Sequence, residues 1–155
     1  SFVNVYRQVS KCKTRGIHLG ADQVAAHCTS GATIATTFDM RQAVGCSVFF
    51  AGASIGRSYG RVSGDINPIH LSALTAKFLG FRKAIAHGMW TKARALATLM
   101  PREAVAQAEV IVEFKTPLFL PARASLWAIR SEDGALFEVR NAKGDKPHLR
   151  GRVTY

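Results

Sequence analysis

Residues 59–89, YGRVSGDINPIHLSALTAKFLGFRKAIAHGM, place Asp65, Asn67, His70 and His87 among turn residues and apolar helix residues. Pro68 has no N–H and pushes Asn67 towards extended conformations, so Asp65 and His70 cannot share one straight helix. Residues 63–68 therefore read as a turn that brings Asp65 and His70 together in space. Gly64 permits tight backbone geometry beside the acid. Asn67 can tie the turn to itself through its side chain. A carboxylate and an imidazole joined in this way are how a general acid/base pair holding one water is built. Spacing alone supports a second reading equally: Asp65 caps a turn and His70 satisfies a backbone group.

Working outward, Ser72 can cap a short helix over residues 73–79. Gly80 suits the left-handed position after it, with Phe81 as the apolar residue that follows. A longer helix is expected over residues 88–100, ended by Pro101. Met89, Ala93, Leu96, Ala97 and Met100 form one stripe, with Thr91, Arg94 and Thr98 opposite, and the stripe reads as core packing. Gly88 opens this helix. Its N–H has no partner within the helix and carries the positive end of the dipole, so it can polarise a carbonyl and hold a developing enolate oxygen.

The last third reads as antiparallel strands. Residues 109–116 alternate apolar and polar side chains and stop at Pro117. Residues 122–130 and 135–141 are joined by Ser131-Glu132-Asp133-Gly134, a hairpin signal. Residues 149–155 form a final strand. Upstream, residues 2–9 read as a strand running into the basic stretch 11–15. Residues 17–41 are poorly patterned, with a short helix near residues 22–27. Residues 47–51 form a second strand, and residues 55–62 a short helix before the turn. The expected fold class is α+β, an antiparallel sheet curled around one long apolar helix.

The 155 residues suit one domain with a sizeable core, and 48% hydrophobic with 20% charged is a globular composition. No apolar run approaches the roughly 18 residues of a membrane span. Neither a starting Met nor a signal-peptide pattern occurs at Ser1, so a fragment of a longer protein is expected. Cys12, Cys28 and Cys46 are widely spaced and odd in number, which suggests free thiols in a reducing, cytoplasmic setting. The net charge of +11 favours an anionic partner. Its Lys and Arg residues are scattered without interleaved aromatics, so nucleic-acid binding is not the expected main function.

Two rival constellations stand beside the turn. Gly52-Ala53-Ser54-Ile55-Gly56 matches the G-x-S-x-G nucleophile elbow. The chain lacks the repeated βα units which that elbow requires, so a chance match among small residues is the better account. Asp65, His70 and His87 are suitable metal ligands by type. His87 is instead expected to pack or hydrogen-bond at the start of the long helix, and no metal is expected.

The pieces YGRVSGDINPIH (59–70), GF (80–81) and IAHGM (85–89) together resemble the hydratase-2 motif of the MaoC-like, (R)-specific enoyl-CoA hydratase family. The resemblance continues more weakly through FKTPLFLPA (114–122), where the family has a strand after its helix, and covers about residues 52–155. It implies the hot-dog fold, in which an antiparallel sheet wraps a long helix. It also implies reversible hydration of trans-2-enoyl thioesters, or dehydration of (R)-3-hydroxyacyl thioesters, in fatty-acid metabolism.

By the same resemblance Asp65 and His70 are the catalytic dyad, Asn67 orients it, and the Gly88 N–H binds the thioester oxygen. Some relatives carry a serine eight residues after that glycine, where this chain has Leu96. No cofactor is implied; the substrate is an acyl-CoA or an acyl-carrier-protein thioester, whose phosphates or acidic carrier suit the positive charge. Arg82 and Lys83 are candidates for those contacts. Relatives often join two hot-dog units in one chain. Residues 1–50 are accordingly expected to be an N-terminal strand and irregular linker or the end of a preceding unit, and residues 51–155 the hydratase domain. Pairing with a second unit, as a homodimer or within a longer chain, follows from the exposed sheet edge. The alternatives are a non-catalytic hot-dog partner subunit and a basic nucleic-acid-binding module.

Overall fold

In the computed structural model, residues 7–13, 37–103 and 105–155 are described. The strands are β1 (Arg7–Lys13), β2 (Val44–Ala51), β3 (Gln107–Phe114), β4 (Ala122–Ser131), β5 (Gly134–Asn141) and β6 (Pro147–Thr154). The helices are α1 (Ile55–Ser63), α2 (Pro68–Leu71), α3 (Ala73–Phe78) and α4 (Gly88–Leu99). The six strands form one antiparallel sheet in the order β1-β3-β6-β5-β4-β2.

Strand alternation puts one face of this sheet into the core. Val110 and Val112 of β3, Ala124, Leu126 and Ala128 of β4, Phe137 and Val139 of β5, and Leu149 and Val153 of β6 are buried together with Ala95 and Leu99 of α4. Full burial of each such large side chain is worth about 1.5–3 kcal/mol. Gly151 of β6 faces Phe137 across the strand pair, and a Cβ there would lie 2.3 Å from the ring. The missing side chain is the space that the phenyl ring fills. On the opposite face, the fully buried Glu138 carboxylate accepts from Arg140 Nε at 2.7 Å and from Arg150 Nε at 2.5 Å.

Helix α4 uses a different face from the expected one. Its buried residues are Thr91, Lys92, Ala95 and Leu99, while Ala93, Arg94 and Ala97 are exposed. Leu96 and Met100 only flank the core. The alanines carried the expected stripe, and alanine is as acceptable to water as to a core. The true face includes Thr91, whose hydroxyl donates to His87 O, and Lys92, whose long apolar stem can lie in a core. Burial pushes the Lys92 ammonium down to about 8.

The remaining elements fall close to expectation. Helix α3 ends as its sequence suggests: Gly80 has φ 84°, Phe81 N–H donates to Ala76 O at 2.9 Å, and Gly80 N–H donates to Lys77 O at 3.0 Å. The strand expected at residues 2–9 is found at Arg7–Lys13, and residues 2–6 lie outside the described residues. The short helix expected near residues 22–27 also lies outside them. Most of residues 114–122 is a connection between β3 and β4 rather than a strand. Strand β2 reaches Ala51, so the expected division at residue 50 falls inside it, and β1 and β2 share one sheet with the later strands. Among the described residues, no helix is long and apolar enough to cross a membrane.

Candidate active site

Helix α1 presents Gly56 and Gly60 to the turn that follows it. A Cβ on Gly56 would lie 1.8 Å from the main-chain oxygen of His70, and one on Gly60 would lie 2.9 Å from that of Asp65. The two glycines, one helical turn apart, let the 65–70 backbone lie directly on the helix. This accounts for the second glycine of G-x-S-x-G; Ser54 is an exposed residue at the start of α1. The i, i+4 glycine spacing was the available signal for this packing.

The turn organises itself through its own polar groups. Asn67 N–H donates to Asp65 Oδ1 at 3.2 Å, and Asn67 Oδ1 accepts from Ile69 N–H at 3.2 Å. Asn67 thus aims the Asp65 carboxylate with its backbone and caps α2 with its side chain. Pro68 fills the first position of α2, where a missing N–H costs nothing. His70 sits one turn later and is buried.

Residues 84–86 pin His70 from the other side. Ile85 N–H donates to Ile69 O at 3.1 Å, and His70 Nδ1 donates to Ile85 O at 2.8 Å. That bond fixes the tautomer and leaves the lone pair on Nε2, the form a proton acceptor needs. The same segment is clamped to the β3–β4 connection: Ala86 N–H donates to Leu118 O and Leu120 N–H to Ala84 O, both at 2.8 Å. Burial, the largest influence, pushes the His70 pKa below the ordinary histidine value, against its hydrogen bond to Ile85.

Candidate ligand atoms of Asp65, His70 and His87 all lie within 4.8 Å of one another. The two imidazoles are stacked, with centroids 3.7 Å apart and planes 26° apart. Each ring already gives one nitrogen to a main-chain oxygen, His70 Nδ1 to Ile85 O and His87 Nε2 to Asp65 O. His87 occupies the position before α4 and donates from Nε2 to Asp65 O at 2.9 Å, as expected of a residue fixing the start of the helix.

A cavity of about 510 Å³ opens beside His70. His70 and Gly88 line it, with an apolar wall that includes Ile85, Met89, Phe114 and Leu118. A Cβ on Gly88 would lie 2.6 Å from the Phe114 ring, so glycine is what lets α4 begin against this wall. Asp65, Asn67, Arg82 and Lys83 are not among the lining residues. The Asp65 side chain is 55% exposed and stands at the outer side of His70. Arg82 and Lys83 are exposed, and the Arg82 guanidinium lies 4.5 Å from the Phe119 ring centre. Lys115, Thr116 and His148, with Thr91 of α4, supply polar groups to the wall. Sequence reasoning singled out none of Lys115, Thr116 and His148 as site residues: the first two lie in the 114–122 stretch that carries only the weaker part of the resemblance, and His148 of β6 is far from the motif in sequence.

The family model described as a MaoC like domain matches residues 29–150. Over 99 residues the chain is 40% identical to the 3-hydroxyacyl-thioester dehydratase X of Mycobacterium tuberculosis, covering 63% of this chain and 34% of that protein. The crystal structure of HtdX from the same organism superposes with a TM-score of 0.65 at 36% identity, over 70% of this chain and 46% of that one. The chain thus spans about a third of the length of the curated relative it matches. The unliganded R-hydratase PhaJ1 of Pseudomonas aeruginosa, at 23% identity and a TM-score of 0.54, shares the fold, with 72% of this chain and 76% of that one covered. The sheet, the helix α4 and the matched residues agree: this chain belongs to the MaoC-like dehydratase family and has its hot-dog fold.

Proposed function

We propose that the protein catalyses reversible hydration of trans-2-enoyl thioesters and dehydration of (R)-3-hydroxyacyl thioesters. The observation that carries this reading is His70 on the cavity wall, its lone pair held on Nε2 by Ile85 O, with the Asp65 carboxylate beside it. The relatedness to a 3-hydroxyacyl-thioester dehydratase supports it.

In the proposed reaction Asp65 and His70 hold a water. Its oxygen bonds to C3 of the enoyl group as the C2–C3 double bond becomes single. One water proton passes to the dyad, and a proton is delivered from the dyad to C2 on the same face. The Gly88 N–H, a first-turn donor of α4, donates to the thioester oxygen and stabilises the charge that develops there. No cofactor takes part, because the thioester itself acidifies C2. Positioned proton transfer supplies typically ~10²–10⁴-fold. Acyl-CoA or an acyl carrier protein is the proposed carrier, consistent with the net charge of +11. A second hot-dog unit, in a homodimer or a longer chain, is proposed to cover the β2 edge, where Val44, Val48 and Phe50 are exposed. The cytoplasm is the proposed location.

Hydration of crotonyl-CoA, followed at the enoyl-thioester absorbance, tests the reading. Turnover with the (R)-3-hydroxy product is expected. Asp65→Asn and His70→Ala should each lower kcat by roughly 10²–10⁴-fold, with the double variant little worse than either. Near-normal activity in either single variant, or a mainly (S) product, overturns it. A folded but inactive wild-type protein that restores activity to another hot-dog subunit would instead mark a non-catalytic partner.

A further inference from the structure

We propose that His87 is a positioning residue that locks Asp65, His70 and the Gly88 N–H into one geometry. This rests on the dehydratase reading for its kinetic consequences and on geometry alone for its structural ones.

His87 touches each part of the site by a different kind of contact. Its Nε2–H donates to the Asp65 main-chain oxygen at 2.9 Å and lies 3.7 Å from Asp65 Oδ2. Its ring stacks on His70 at 3.7 Å between centroids. Its backbone is the residue before Gly88, and its carbonyl accepts from Thr91 N–H at 3.2 Å in the first turn of α4. Tyr59 of α1 packs against the same ring, tilted by 54°, at 5.0 Å between centroids. The residue is 3% exposed. Rotation of the ring therefore breaks the Asp65 bond, and a shift of α4 moves the ring that supports His70. No other side chain among the described residues is bonded to Asp65 and stacked on His70.

The ring also matters electrically. With Nε2–H given to Asp65 O, the buried Nδ1 has no hydrogen-bond partner among the described residues. Of the groups around the pair, Tyr59 and Asp65 face His87, and Asp65 and His87 face His70. Lys115 and His148 line the same cavity from the β3–β4 connection and β6. Burial lowers the His70 pKa most, charge repulsion from His87 adds to it, and Asp65 opposes both.

His87→Phe separates positioning from packing, because phenylalanine can keep the stack and the volume but removes the Nε2–H. If His87 positions the dyad, the variant folds, its KM stays near wild type and its kcat falls by roughly 10–100-fold, the scale of a small misplacement of reacting groups. Its acid limb moves to higher pH. The imidazole signals of His70, followed by NMR against pH, should move upward in parallel without reference to activity. His87→Gln keeps an amide donor and should recover part of the lost kcat; it carries the test if the phenylalanine variant does not fold. Wild-type kcat, pH profile and His70 titration in a folded His87→Phe protein would overturn the proposal and leave His87 as packing. If the wild-type protein shows no hydratase activity, the function reading fails separately, and the His70 titration alone decides: an unchanged curve refutes positioning.

Discussion

The segment from α1 to the start of α4 and the sheet β3–β6 are held by different forces. In the sheet, Leu126, Phe137, Val139, Leu149 and Val153 are each at most 1% exposed and pack on α4. The segment has few such residues. Val62, Ile66, Leu74, Phe78 and Leu79 all lie more than half exposed. What holds it is directional: Ile85 to Ile69, His70 to Ile85, His87 to Asp65, and Arg57 Nη1 to Leu71 O at 2.9 Å. Apolar burial is strong but tolerates small displacements. Hydrogen bonds and glycine contacts contribute less free energy and fix angles more closely. The scaffold therefore supplies stability, and the segment supplies position.

Substitutions in the two regions should separate stability from turnover. Phe137→Ala, in the sheet, should lower stability by about 3–5 kcal/mol, read by denaturant unfolding. Its molecules that remain folded should keep a near-normal kcat, and a large loss there would show that sheet and site are not separable. Gly56→Ala, in the segment, should cost less stability, about 1–3 kcal/mol, because a methyl group is forced against His70 O. Its kcat should nonetheless fall further than that of Phe137→Ala, since His70 itself must shift.

Lys92 sits on the α4 face that the sheet buries, and its ammonium is depressed to about 8. The folded chain releases this proton at lower pH than the unfolded chain, so wild-type stability should rise between about pH 8 and pH 10.4. Lys92→Met removes this titration, so its stability relative to wild type, read by denaturant unfolding, should decline across the same pH range; a constant difference would mean the charge is not what the substitution removes.

The smallest expected effect compares one histidine from each region. Burial, as the largest cause, pushes both His70 of α2 and His148 of β6 below the ordinary value. The unfolded chain then binds protons first, so stability should fall as pH drops below about 6.5 and level off once the folded sites also protonate. Melting at pH 7.5 and 5.5 should show this loss. Replacing either histidine by Gln should reduce it, and an undiminished loss would assign it to other groups.

The motif, the turn, α1, α3 and the strands of the meander were legible because each depends on neighbours in sequence. Pro68 after Asn67 and Gly80 after α3 dictate local backbone geometry. The buried face of α4 was not legible, because Ala93 and Ala97 carry no strong preference while Lys92 hides its stem. The cavity wall was not legible for another reason. Lys115, Thr116 and His148 share a cavity with His70 only through the folded sheet and the connection after β3, and the contacts of Gly56 and Gly88 are defined by what approaches them. The Leu96 position, where some relatives have a serine, flanks the core and is not among the cavity-lining residues.

Asp65 stands half in solvent while His70 is 8% exposed. In the proposed reaction a water held between them would sit at a boundary, with one wall wet and one wall dry. The exposed Asp65 side would let it trade places with bulk water. In the proposed reaction the oxygen added to C3 would then be drawn afresh from the medium at each turnover. Hydration in ¹⁸O-enriched water should label the new hydroxyl to the enrichment of the solvent from the first cycle onward, with no retained pool and no lag.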